Sequence, residues 1–192
     1  MGGLRIRDAE AADAPLLAEW AAAMAWETEQ KRLDPATVAL GVSNALADPM
    51  RARYFIAMRQ AEVAGRETLA LPVGTLMLTD EWSDWRNGWW WWIQSVYVPP
   101  GERRTGVFAA LYDHASSLAR ATPGVIGLRL YVERANAAAQ RTYASLGMDD
   151  AGYLVFEQQF SATDFTDDTD IALPYLCLSV KSVAKNCSSK TR

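Results

Sequence analysis

Residues 98–108, Val-Pro-Pro-Gly-Glu-Arg-Arg-Thr-Gly-Val-Phe, join a strand-like stretch to an amphipathic one, and their types suit an anion. A strand-to-helix turn presents successive backbone N–H groups at the positive end of a helix dipole, which fits a phosphate or pyrophosphate. Gly106 lets the backbone approach a ligand closely. Arg103 and Arg104 add charge-assisted donors. A solvated basic turn that merely begins a helix has the same composition, so the segment alone leaves both readings open. Other groups able to do chemistry are few. Glu27 and Glu29 lie in a polar stretch at residues 26–33, Glu81 and Asp84 precede a run of four tryptophans at residues 89–92, and Glu133 closes a later strand. The sole histidine, His114, sits well inside a helical pattern. Cys177 and Cys187 are far from it in sequence and cannot form a metal site alone, so no metal is expected.

These residues need elements to position them. Residues 4–7 alternate and read as a strand. Residues 11–25 are alanine-rich, with Leu16, Leu17, Trp20 and Met24 at helical spacing and Pro15 in the first turn. Asp34-Pro35 is an N-cap followed by proline, opening a second helix to about Ala47, where Asp48-Pro49 stops it. Residues 54–58 and 71–78 read as two strands of a meander, and a polar turn over 79–88 leads into the tryptophan strand, which runs to Val98. On that strand strict alternation groups Trp90 and Trp92 with Gln94, Val96 and Val98, and Trp89 and Trp91 with Ile93, Ser95 and Tyr97. One such pair packs under a helix; the other lines a cleft or covers an exposed sheet face. A helix over 106–120, a strand over 126–132, a helix over 136–146 with Gly147 past its end, and a strand over 153–156 complete the order β-α-α-β-β-β-α-β-α-β. It implies a mixed sheet with helices on its faces, an α/β or α+β fold.

The chain has 192 residues, enough for one domain with a proper core, here residues 1–160. Residues 161–192 read as a C-terminal extension, acidic and turn-rich at first, in which one more strand at 171–180 and then a basic mobile tail are expected. A net charge of −4 with no basic block argues against nucleic acid as the main partner. No apolar run approaches the ~18 residues of a membrane span, and the first residues carry no signal peptide, so a cytoplasmic protein is expected.

Two spaced motifs add a family resemblance. The pattern Val-x-Pro-x-x-Arg-x-x-Gly-Val of residues 98–107, entered from a strand and followed by an amphipathic helix, resembles motif A of the GNAT N-acetyltransferases. Further on, Asn136, Ala139, Tyr143 and Gly147 match the family's Asn-x-x-Ala-x-x-x-Tyr-x-x-x-Gly-Phe helix, with Met148 in place of Phe. The resemblance covers roughly residues 4–158. It departs where the family often has Gly or Ala, at Phe108.

The resemblance implies a mixed, mostly antiparallel sheet of about 6–7 strands flanked by about 4 helices, splayed between the cofactor strand and the next. It implies an acyltransferase that uses acetyl-CoA (released as coenzyme A), acting on the primary amine of a small molecule by direct attack in a ternary complex. A protein or peptide acceptor, or a silent acyl-CoA-binding module, stays open. The pyrophosphate would rest on the amides of Arg103, Arg104, Thr105, Gly106, Val107 and Phe108. The pantetheine would lie along Val96, Tyr97 and Val98, with a side-chain amide from Asn136. Tyr143 is the candidate acid for the departing thiolate. Glu27 and Glu29, in the segment that overhangs the acceptor in this family, are candidates to bind the amine or relay its proton. Gln94 stands where some members have a glutamate. Homodimers are common in the family.

Overall fold

The computed structural model describes residues 3–63 and 66–158, in two units that divide at Glu133 and Arg134. The first unit holds a five-stranded sheet in the order β1-β2-β3-β4-β5: β1 Leu4–Asp8, β2 Arg53–Val63, β3 Arg66–Ser83, β4 Gly88–Tyr97 and β5 Val125–Leu130. The first four strands pair antiparallel and β5 runs parallel to β4. A parallel neighbour needs a crossover, and α3 (Val107–Ala121) supplies it. Helices α1 (Ala14–Glu29) and α2 (Pro35–Ala47) lie between β1 and β2 in sequence. In the second unit the one helix among the described residues is α4 (Ala137–Ser145).

Strand alternation decides what each face of the sheet buries. On one face Phe55, Ala57, Leu76, Leu78, Trp91 and Ile93 pack against Val107, Leu111, Ala115 and Ala119 of α3. On the other, Ile56 packs with Leu17 of α1 and Val42 of α2, with Tyr54 and Met58 alongside. Full burial of one such aliphatic side chain stabilises by about 1.5–3 kcal/mol, so the two clusters fix α3 on one face and α1 with α2 on the other.

Local signals set most boundaries. Asp34 caps α2 by accepting from Thr37 N at 2.8 Å and Thr37 Oγ1 at 2.7 Å. Helix α1 outlasts the expected end at residue 25. It continues through Glu29 and closes at Gln30, whose backbone is left-handed (φ 54°) and whose side-chain Nε2 donates to Trp26 O at 2.8 Å. Glu27 and Glu29 therefore stand on the last helical turn rather than in a loop. Strand β3 likewise extends to Ser83, because Asp80, Glu81 and Trp82 pair with Trp91, Trp90 and Trp89; the turn shrinks to residues 84–87. Composition read those residues as loop, and the ladder with β4 overrides it.

One further expectation fails. Residues 153–156 belong to no strand, and Tyr153, Leu154, Val155 and Phe156 are all exposed. An apolar run becomes a strand only where a neighbour takes its backbone; among the described residues the sheet has five strands, mostly antiparallel and flanked by four helices, in keeping with the expected mixed fold. The extra strand at 171–180 and the tail lie outside the described residues.

The tryptophan strand also breaks simple alternation. Met77 pairs with Ser95 but Leu78 with Ile93, so Gln94 is an extra residue, a β-bulge in β4. The bulge reverses the phase. Trp91 and Ile93 face α3 below it, and Val96 and Val98 pack on the same core above it. Tyr97 turns to the opposite face, its ring 6.0 Å from that of Trp20 in α1. The expected grouping of Trp90 and Trp92 with Val96 and Val98 is thus wrong. Trp91 alone of the four tryptophans is fully buried, with the Arg53 guanidinium 3.8 Å from its ring centroid.

Candidate functional site

The turn after β4 is held open at the start of α3. A short 3-10 turn, Pro100–Glu102, is followed by Arg104 and Gly106, both left-handed at φ 64° and 87°. Gly106 is the N-cap of α3, and no side chain caps that end. The first N–H groups of an α-helix have no intrahelical partner, and the dipole adds positive potential, so this end suits an anion. Side chains fix the turn from outside. Arg59 of β2 donates to Glu102 Oε2 at 3.0 and 2.8 Å and to Thr105 Oγ1 at 2.7 Å. Thr105 Oγ1 donates to Glu102 O at 2.6 Å. Val107 is fully buried against Gly74, where an added Cβ would lie 2.7 Å from Val107 Cγ1. Phe108 is half-buried, its ring 6.2 Å from that of Tyr112.

Arg103 and Tyr97 meet Glu27. The Tyr97 hydroxyl donates to Glu27 Oε1 at 2.9 Å, Arg103 Nη2 donates to Glu27 Oε2, and Arg103 Nε donates to Val98 O at 2.9 Å. The Arg103 guanidinium holds the Glu27 carboxyl below the usual range against an opposing effect of burial, and the Tyr97 hydroxyl adds to the lowering. Burial, then the Glu27 carboxylate, push the Tyr97 phenol up. The cluster ties the end of α1 to the end of β4 and the turn after it. It also draws the Arg103 side chain onto Val98 and Glu27, while Arg104 stays exposed. Glu29 is exposed at the last residue of α1. No sequence pattern connects Glu27 and Arg103, which lie 76 residues apart.

Strands β4 and β5 part at the bulge. Their ladder ends at Ile93 and Leu130, whereas β4 stays paired with β3 as far as Tyr97 and Thr75. Residues 94–97 therefore have a strand neighbour on one side only, among the described residues. Such an edge can take an extended ligand as an added strand. Gln94 is exposed, with Thr79 Oγ1 at 3.4 Å from its Oε1.

Just below the parting, on the face away from α3, lies a cluster that the motifs do not announce. Glu81 accepts from Trp92 Nε1 at 2.5 Å and from Arg129 Nη1 at 2.8 and 3.0 Å. The Arg129 guanidinium is 4.2 Å from the Trp90 ring centroid and 5.8 Å from that of Trp92, which stacks on Tyr131 at 4.3 Å. Arg129 was missed, although one signal existed: a single arginine inside the otherwise apolar Val125–Leu130 strand.

In the second unit, Asn136 Oδ1 accepts from Ala139 N at 3.0 Å and caps α4. Its carbonyl oxygen is thus engaged within the helix it begins. Burial raises the Tyr143 phenol above its ordinary pKa, so it is protonated at neutral pH. Gly147 is left-handed (φ 80°), as expected past a helix end. Among the described residues no group of three or more His, Cys, Asp or Glu is placed to hold a metal, and no helix is long and apolar enough to cross a membrane.

Comparison with known proteins completes the picture. The model of the Acetyltransferase (GNAT) family matches residues 10–148. The crystal structure of a possible acetyltransferase from Clostridium difficile 630 is 35% identical, covers 82% of this chain and 98% of its own, and superposes with a TM-score of 0.72. A ribosomal-protein-alanine N-acetyltransferase from Brucella melitensis biovar Abortus 2308 shares the fold at 18% identity and TM-score 0.59, covering 82% of this chain and 100% of its own. So does an aminoglycoside acetyltransferase from an uncultured soil metagenomic sample, solved in complex with sisomicin, at 13% identity and TM-score 0.60 over 82% and 97% of the two chains. No curated protein sequence matches.

Proposed function

The chain belongs to the GNAT acetyltransferase family, and from that premise we propose that it moves an acetyl group from acetyl-CoA to the primary amine of a small molecule, by direct attack in a ternary complex. The observation that carries the reading is the one-sided edge of β4 at residues 94–97, next to the uncapped start of α3. An anion-binding helix end beside an open strand edge fits a molecule that is a pyrophosphate at one end and an extended amide chain at the other. When bound, acetyl-CoA supplies an activated thioester.

In this reading the amides of residues 103–108 hold the pyrophosphate, with Arg104 as the exposed cation. The backbone of Val96, Tyr97 and Val98 aligns the pantetheine, with the Asn136 side chain as a further contact. A backbone N–H near Val96 or Tyr97 steadies the carbonyl oxygen as it gains charge. The amine must be neutral to attack, and its pKa near ~10.4 means that a proton has to leave. Glu29 is the acceptor-side carboxylate for this, directly or through water. Glu27, already bonded to Arg103 and Tyr97, acts mainly by positioning the donor strand. Tyr143 protonates the leaving thiolate, a modest contribution because a thiol of pKa about 8.5 leaves readily.

The test is coenzyme A release from acetyl-CoA over a panel of small amines, amino acids and peptides, with acetyl-CoA binding measured alongside. Turnover on small amines supports the reading. Turnover confined to peptides transfers it to a protein acceptor. Binding without any turnover leaves a silent acyl-CoA module, and absence of binding removes every reading based on coenzyme A.

A further inference from the structure

We infer that the acceptor carries a carboxylate as well as its amine, an amino acid or a small molecule derived from one, and that Arg129 recognises that carboxylate. The inference rests on the acetyl-transfer reading above and names the substrate class of the same site.

Position comes first. Leu128 and Leu130 pack on the α3 core, so Arg129 between them points to the opposite face. Trp91 and Ile93 lie in that same core, which sends Trp90 and Trp92 to the face with Arg129. Arg129 is paired with Trp92, and the next rung, Ile93 with Leu130, is the last before the strands part. Three strand residues, Trp92 to Ser95, span about 10 Å. A molecule with its amine at the parting can therefore reach the guanidinium with a group no more than about that distance away.

The balance of donors and acceptors then selects the chemistry. The cluster contains one acid, Glu81, and both of its oxygens already accept, from Arg129 and from Trp92. Its carboxylate already takes three of the about four bonds it can accept, and the Arg129 guanidinium offsets its charge, so little is left to attract an ammonium. Arg129, by contrast, gives Glu81 only Nη1, which among the described residues leaves Nη2 and Nε, two donors in the fork that matches a carboxylate. Glu81 and the two indoles fix the guanidinium in place, and its side chain is 23% exposed, so it is partly desolvated yet reachable. Trp90 Nε1 is a second donor in the cluster, buried without an acceptor among the described residues. Surplus donors beside an acid that Arg129 already offsets favour an anion.

The experiment compares matched acceptors on the full-length protein: phenylalanine with phenethylamine, leucine with isoamylamine, and lysine with 1,5-diaminopentane. The expected result is kcat/KM at least about tenfold higher for the member bearing the carboxylate, the scale of charge-assisted hydrogen bonds. In Arg129→Gln that ratio should fall towards one, and Arg129→Lys should keep part of it. Equal or better turnover of the decarboxylated amines by wild type overturns the inference without any variant. So does a ratio that Arg129→Gln leaves unchanged. If no amine is acetylated at all, the acetyl-transfer reading fails first; equilibrium binding of the same pairs then decides the carboxylate site separately, and equal affinity for both members of each pair overturns it.

Discussion

Gly106→Ala separates backbone strain from cofactor binding. Gly106 has φ 87°, and an ideal Cβ built on it would meet nothing within 4 Å. Its stability cost is therefore conformational alone, about 1–2 kcal/mol for an L residue held in the left-handed region. For a chain of this length, each kcal/mol lowers Tm by about 2–4 °C. Gly124, just past the other end of α3, provides the control. Its φ is 81° and its added Cβ would make only an ordinary contact, 3.9 Å from Trp89 Cδ1. Both alanine variants should lose similar stability. Only Gly106→Ala should weaken acetyl-CoA, because its methyl group would stand at the helix end where the amides meet the pyrophosphate. Losing close approach to one or two charge-assisted hydrogen bonds corresponds to about tenfold or more in Kd. Thermal unfolding gives the first quantity and isothermal titration with acetyl-CoA the second. Equal acetyl-CoA affinity in the two variants would refute the assignment of the α3 start as the donor site, whatever their Tm values.

Other perturbations probe separate links. Gly127→Ala places a Cβ 2.5 Å from Trp90 Cζ3, so overpacking should cost about 1–3 kcal/mol in chemical denaturation and change the tryptophan emission. Glu27→Gln breaks the tie between α1 and Arg103; with both side chains partly solvated, the loss should be about 0.5–1 kcal/mol. Because the folded Glu27 carboxyl is lowered by Arg103, that stabilisation is present above the unfolded value of about pH 4.3 and is lost as pH falls through the folded one. The stability gap between wild type and Glu27→Gln should thus shrink on acidification, and a gap that widens refutes the sign. Tyr143→Phe should lower kcat about tenfold with little change in acetyl-CoA binding, and an unaltered kcat removes the acid role. Glu29→Gln should raise KM for cationic amines several-fold if that carboxylate meets the acceptor; an unaltered KM leaves it a solvated helix end.

The sequence by itself determined whatever depends on neighbours along the chain. Asp34-Pro35 starts α2, Gly106 starts α3, and Gly147 follows α4, because caps and left-handed turns are local chemistry. The apolar periodicity of residues 107–119 marked the face that α3 buries. The two spaced motifs by themselves point to the family. Tertiary structure decided what rests on partners remote in sequence. Whether residues 79–83 are turn or strand is settled by pairing with β4, and whether residues 153–156 form a strand by the lack of a ladder in the described chain. The bulge at Gln94 exists only as a mismatch of two strands, yet it reverses every side chain beyond it and carries Tyr97 to Glu27. The grouping of Glu81, Trp90, Trp92 and Arg129 has the same origin. Three strands contribute to it, and a single chain read in order cannot show which of its residues share a face of a sheet until register is fixed.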